Sequence, residues 1–138
     1  MRRLSLLALL LALAACDVNP FDESQQPTVR VDVTGEAPVF SWLPAGAQSL
    51  RVYEGANTGD AGSDVMVWGV SAVDGANGLR GPVTYSVVPS GGELYIPARP
   101  LVAGQPYTVV VRRDDPRGTG DGFTNTRNEY ADAETFIP

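Results

Sequence analysis

The sequence predicts an all-β protein, an antiparallel Greek-key β-sandwich of seven or eight strands. From Pro27 onward, apolar and polar residues alternate with a period of two, which is typical of strands with one buried and one exposed face. Fifteen glycines and eleven prolines interrupt these segments, and both residue types favour turns. Short strands with frequent turns favour a sandwich over a parallel α/β sheet, which would need crossover helices.

Eight segments are expected to form the strands, because each alternates or is apolar throughout and is bounded by turn residues. In chain order they are 29–34, 40–42, 50–53, 65–73, 83–87, 94–96, 107–112 and 129–137. Trp42 and Trp68 lie within apolar runs, so both are predicted to pack in the core. Tyr53 and Tyr95 are the better candidates for surface aromatic residues.

The N-terminus has the composition of an export signal. Arg2 and Arg3 precede an apolar run over 4–15, and about a dozen residues is too short for a membrane-spanning helix, which needs roughly 20. The run ends in Leu13-Ala14-Ala15-Cys16, which resembles the lipobox of bacterial lipoprotein precursors. The resemblance implies that residues 1–15 are removed, that Cys16 receives a diacylglycerol, and that the new N-terminus is acylated, for example with palmitate. The alternative is an ordinary signal peptide cut near residue 15, with a free thiol left at Cys16.

The remaining chain divides into a spacer and one domain. Residues 16–27 comprise the lipidated cysteine and a polar, acidic segment that we interpret as a flexible tether, and 28–138 is the predicted domain. Beyond residue 15 there are 8 arginines against 16 acidic residues, a net charge near −8. Such a surface repels phosphate backbones, so nucleic acid is not an expected partner, and the bilayer is contacted through the acyl group. The expected location is the non-cytoplasmic side of a bacterial membrane.

The domain resembles the fibronectin type III family and its immunoglobulin-like relatives. Leu101, Gly104 and Tyr107 match the family's spacing before its sixth strand, where the tyrosine hydroxyl bonds back to the backbone as a tyrosine corner. The segment 40–44 is similar to the second strand, whose tryptophan fills the core, and 50–54 is similar to the third. The resemblance is spread over residues 27–138 and implies a Greek-key sandwich.

An acid-rich loop, 114–122, is the one candidate for metal binding. Calcium takes six to eight oxygen ligands, several of them charged. The loop lacks the alternation of Asp and Asn with a closing glutamate that marks a calcium loop, so a solvated hairpin loop is the favoured interpretation. No metal or cofactor site is therefore predicted.

Catalytic arrangements find little support in the composition. Asp114 with Glu129 or Asp132 could serve as the acid and base of a glycoside hydrolase, but nothing in the sequence fixes their separation. The chain has no histidine, no lysine and no Gly-x-Ser-x-Gly motif, and its single cysteine is the one assigned to lipid. We expect no enzymatic activity.

Three functions remain, and the first is the leading hypothesis. The chain is interpreted as a non-catalytic binding or structural module of the envelope that holds another envelope protein through loops or a strand edge. A carbohydrate-binding module for an envelope polysaccharide is the first alternative, provided that exposed aromatic residues share one face. Candidates for such a platform are Trp42, Tyr53, Trp68, Tyr85, Tyr95 and Tyr130. A calcium-stiffened adhesion module is the second alternative.

The lipobox predicts a measurable modification. Mass spectrometry of the protein purified from its own membranes should show an N-terminus at Cys16 that carries diacylglycerol and an acyl group. A Cys16→Ser variant should lose the modification and leave the membrane fraction. An unmodified thiol at Cys16 would contradict the assignment.

Overall fold

The computed structural model describes residues 23–56, 65–115 and 129–138, and in these ranges the protein is all-β. After a short 3-10 helix, Glu23–Gln25, eight strands follow. They are β1 Thr28–Asp32, β2 Val39–Leu43, β3 Ser49–Glu54, β4 Met66–Ala72, β5 Val83–Thr84, β6 Gly92–Ile96, β7 Tyr107–Asp114 and β8 Glu129–Phe136. In the same ranges, no helix has the length and apolar character needed to cross a membrane.

The strands form two antiparallel sheets. One sheet has three strands in the order β1-β2-β5, and the other has five in the order β6-β4-β3-β7-β8. In the centre of the larger sheet, Leu50 of β3 lies between Val70 of β4 and Val111 of β7. The predicted all-β class with antiparallel sheets is confirmed, and the two sheets are consistent with a β-sandwich.

Alternation in the strands directs one face of each sheet into a shared core. Phe40 and Trp42 are the buried residues of β2, and Leu50 and Val52 are the buried apolar residues of β3. Trp68 of β4 is fully buried, so the prediction that both tryptophans lie in the core is confirmed. Burial of side chains of this size stabilises the fold by roughly 1.5 to 3 kcal/mol each.

Aromatic contacts join the two sheets at the centre of this core. The Phe40 ring of β2 lies 6.3 Å from Trp68 and 5.5 Å from Phe136, measured between ring centroids, and both partners belong to the larger sheet. Phe136 also stacks on Tyr107 of the neighbouring strand at 5.9 Å. Tilted and edge-to-face contacts of this kind add to the stabilisation that area burial provides.

The predicted strand over 83–87 is shorter in the structure, where β5 contains Val83 and Thr84 alone. The prediction was wrong for the rest because Ser86 has a positive φ of 67°, a conformation that an extended strand cannot include. The chain turns there, with the Val87 N–H bonded to the Thr84 carbonyl at 3.0 Å. Val87 is consequently 54% exposed.

The two ends of the domain differ in which connections they carry. We call the end where β1 begins and β2 ends the entry end, and the end where β1 finishes and β2 begins the far end. The β7–β8 connection lies at the entry end, whereas the β1–β2 and β6–β7 connections lie at the far end.

Residues 23–27, assigned to the tether by sequence, rest on the entry end of the domain. Pro27 is fully buried. The Gln26 side chain donates to the Ala131 carbonyl, and Gln25 Oε1 accepts a hydrogen bond from Arg113 at 3.2 Å. Arg113 is itself largely buried and donates to the carbonyls of Ala45 and Gly46. The ordered domain therefore includes part of the segment that composition alone marks as spacer.

Phe40→Ala should lower the free energy of unfolding by about 3 to 5 kcal/mol, because it removes a buried ring that contacts both sheets. The measurement is urea denaturation, in which the midpoint should fall while the dependence of the unfolding free energy on urea concentration stays the same. Leu43→Ala on the same strand is the matched control, since Leu43 is 72% exposed and surface changes usually stay within about 0.5 kcal/mol. Equal losses in the two variants would contradict the assigned role of Phe40.

Candidate functional site

The residue to which the sequence assigns a chemical role lies outside the described residues. Cys16 belongs to the range 1–22, so its lipidation stays a prediction. The same holds for most of the acid-rich loop, because 116–128 lies outside the described ranges. Of its acidic residues Asp114 and Asp115 are described, and the described residues contain no group of three or more His, Cys, Asp or Glu side chains able to hold a metal ion.

The carboxylates considered as a catalytic pair have structural contacts. Asp114 and Glu129 are cross-strand partners at the start of the β7–β8 connection. Glu129 pairs with Arg112 at 3.0 Å on the surface. Asp132 Oδ2 accepts the Val29 N–H of β1 at 2.8 Å and so joins the edges of the two sheets. None of the three lines the cleft described next.

A cleft of about 540 Å³ opens at the far end of the domain. Its walls come from the β1–β2 connection, the residues after β5, the β6–β7 connection and the chain beyond β8. The residues that bear on its chemistry are Glu36, Pro38, Tyr85, Ser86, Arg99 and Leu101. A mainly apolar cleft of this volume with a few polar groups is typical of a binding site.

Tyr85 fixes one wall of the cleft to the core. Its hydroxyl donates to the Arg99 carbonyl at 2.6 Å, and its ring packs edge-on against Trp68 at 5.2 Å between centroids. Burial, and secondarily the neighbouring Tyr107, raise the pKa of the Tyr85 hydroxyl to about 12. The phenol therefore remains protonated and continues to donate to Arg99 at physiological pH.

Tyr107 orders the β6–β7 connection that forms a second wall. Its hydroxyl oxygen accepts the Val102 N–H at 3.0 Å, five residues upstream. Leu101 packs partly against the core, and Gly104 adopts a φ of +79° that a residue with a Cβ rarely takes. These contacts hold a segment without regular secondary structure in one conformation.

Two features at the far end are typical of a recognition surface rather than of plain connections. Ser86 is a residue other than glycine with positive φ, and it lines the cleft; such conformations are costly and cluster at functional sites. The same end of the domain also exposes apolar side chains, among them Val102 at 57% and Ile137 at 56%. Grouped apolar exposure often marks an interaction surface.

A second surface lies on the outer face of the larger sheet. Tyr53 and Arg51 of β3 both point away from the buried Leu50 and Val52, so they share this face. Tyr95 of β6 joins them, with the Arg51 guanidinium 5.8 Å from its ring centroid. Tyr95 is exposed, as predicted, and Tyr53 is partly exposed on the same face, whereas Tyr85 and Tyr130 are buried and cannot join a platform.

Neither the curated proteins nor the solved structures contain a match to this chain, and no protein-family model matches it. The assignment of a site therefore depends on the geometry. Sequence reasoning did not single out Glu36, Ser86 or Arg99, because they come from three connections that are distant along the chain. A weak signal was present in the prolines that flank Arg99, Pro97 and Pro100, which hold a connection extended.

Stability should fall between pH 10 and pH 12, because the Tyr85 pKa is raised from 10.0 to about 12. As the pH rises, the Tyr85 hydroxyl ionises at a lower pH in the unfolded chain than in the folded one. Its contribution to the free energy of unfolding is therefore complete below pH 10 and is lost as the pH rises to about 12. Tyr85→Phe should cost about 1 kcal/mol at neutral pH and remove this alkaline component. Thermal unfolding against pH measures both effects, and an unchanged alkaline profile in the variant would contradict the assignment.

Proposed function

We propose that the protein is a lipid-anchored lipoprotein of the bacterial envelope, held at a membrane through Cys16, whose fibronectin type III-like domain binds another envelope protein without catalysis. The observation that carries the binding role is the position of the cleft. The chain enters at the opposite end of the domain, where residues 23–27 dock. An anchor at Cys16 would therefore leave the cleft on the side away from the membrane.

The chemistry of the cleft suits a segment of polypeptide. Proline, alanine and leucine side chains supply apolar contact, while Glu36 and Arg99 place one charge of each sign in the lining, both on exposed residues. Interfaces between proteins combine an apolar centre with a polar, charged rim in this way. Charges of both signs favour a partner segment with complementary charges, because they set its orientation.

Two features support the family resemblance within this proposal. Tyr107 makes the hydrogen bond to the upstream backbone that a tyrosine corner requires. Trp42 of the second strand is buried in the core, as the resemblance implies. The order of the smaller sheet, β1-β2-β5, is compatible with a Greek-key sandwich, in which the chain passes between sheets.

Charge reversal in the cleft tests the proposed function. The lipoprotein would be captured from its own cells after cross-linking, with Glu36→Arg and Arg99→Glu compared with the unchanged chain. The proposal expects one envelope protein to be enriched by the unchanged chain and about tenfold less by either variant, because the interface loses a complementary charge. Arg30→Glu is the matched control, since Arg30 is exposed on β1 and does not line the cleft.

Two results would count against this function. One is equal capture by all three variants, which would place the partner elsewhere. The other is no enriched protein with the unchanged chain, which would remove the protein partner. Circular dichroism of each variant shows that the fold is retained.

A further inference from the structure

A patch of tyrosine and arginine lies on the outer face of the larger sheet, away from the far-end cleft. We name it the tyrosine face and define it by Arg51, Tyr53, Gly69, Glu93 and Tyr95. The registers place these residues side by side: Arg51 is the cross-strand partner of Gly69, and Gly69 is the partner of Ile96, next to Tyr95. Glu93 belongs to β6, the neighbour of β4, and lies opposite Ser71 of β4.

Gly69 makes room for Tyr95 to lie across the sheet. A Cβ at position 69 would stand 2.5 Å from Tyr95 Cζ and 2.9 Å from its Cε2, closer than two such atoms can approach. The Tyr95 ring therefore occupies the space above Gly69 and reaches toward Arg51 of the next strand. Tyr95 nevertheless remains 39% exposed, so its position is fixed while part of the ring faces solvent.

The Arg51 side chain interacts with both Tyr53 and Tyr95. The Arg51 guanidinium lies over the Tyr95 ring at 5.8 Å, within the range of a cation–π contact. Burial of Arg51 lowers the pKa of its guanidinium, but Tyr95 and Tyr53 more than offset this, and the net shift is upward. Within the described residues, Arg51 Nε has no hydrogen-bond partner, although guanidinium groups have five N–H donors to satisfy.

The charge of this face differs from that of the whole protein. Within the tyrosine face, the charged side chains are Arg51 and Glu93, one of each sign. The outward positions farther along the same sheet add Arg112, Asp114 and Glu129. Arg112 and Glu129 neutralise each other in an ion pair. The tyrosine face therefore has no net charge on a chain of net charge −6, while the outer face of the whole sheet carries one net negative charge, that of Asp114.

We propose that the tyrosine face binds an uncharged β-linked polysaccharide. Pyranose rings have apolar C–H faces that stack on aromatic rings, and their hydroxyls pair with groups such as a guanidinium and a carboxylate. β-1,4-Linked chains are flat ribbons, which fit a sheet surface on which the Tyr95 ring lies across Gly69. Tyr53 and Tyr95 belong to strands two spacings apart, about 10 Å, so one glycan chain that lies across the strands can contact both rings. An uncharged glycan avoids the electrostatic repulsion that an acidic protein exerts on an anionic glycan.

Calorimetric titration of the full-length protein with defined hexasaccharides tests this site. Cellohexaose and N-acetylchitohexaose are the β-linked probes, and maltohexaose is the α-linked comparison. The unchanged chain is expected to bind at least one β-linked probe and to bind maltohexaose more weakly. Tyr53→Ala and Tyr95→Ala should each weaken binding about tenfold, the loss expected for one aromatic contact.

Gly69→Ala gives a sharper test, because it leaves both tyrosines in place. The new methyl group should displace the Tyr95 ring and weaken binding, while thermal stability changes little since the displaced atoms end a side chain that can move. Leu43→Ala is the control on the smaller sheet and should bind as the unchanged chain does. The cleft variant Arg99→Glu should also keep full glycan binding, which separates this site from the proposed protein site.

The proposal is overturned if neither β-linked hexasaccharide binds. Binding that persists in Tyr53→Ala and Tyr95→Ala would also overturn it. A photo-cross-linker at position 95 that captures a protein in intact cells, with no glycan attached, would assign the face to a protein partner instead.

Discussion

The contact of Phe40 with Trp68 and Phe136 is the constraint on which the rest of the structure depends. It is where the three-stranded sheet meets the five-stranded one, and the larger sheet cannot bury its apolar face without the smaller. Trp68 extends the same group to Tyr85, and Phe136 extends it to Tyr107. Both tyrosines use their hydroxyls on far-end connections, so the core that joins the sheets also shapes the cleft.

The two candidate sites are built in different ways. The far-end cleft is made of connections that tyrosine hydroxyls hold in place, and its lining can change without disturbing the sheets. The tyrosine face is made of strand residues whose direction is fixed by the register. A shift of β6 by one residue would send Tyr95 to the opposite face. The first site is thus suited to variation in partner, and the second to a rigid, repetitive ligand.

Alternation and apolar runs along the chain predicted most of the strands, because a buried face requires apolar residues at regular positions. The prediction failed over 83–87, where the alternating pattern continues but the backbone turns at Ser86. The alternation of apolar and polar residues contains no information about a positive φ. The shared face of Tyr53 and Arg51 follows from their spacing of two. Gly69 lies within an apolar run, so its part in seating Tyr95 depends on pairing between strands that sequence alone does not provide. The cleft was missed for the same reason.

The docked segment 23–27 limits how far the domain would extend from the proposed anchor at Cys16. Buried Pro27 and the hydrogen-bonded Gln25 and Gln26 withdraw these residues from the spacer, which leaves six residues, 17–22, between the proposed lipid and the domain. Six residues span at most about 20 Å, and an eight-residue strand such as β7 adds about 26 Å. With the proposed anchor at Cys16, a partner in the far-end cleft would lie within roughly 45 Å of the bilayer surface.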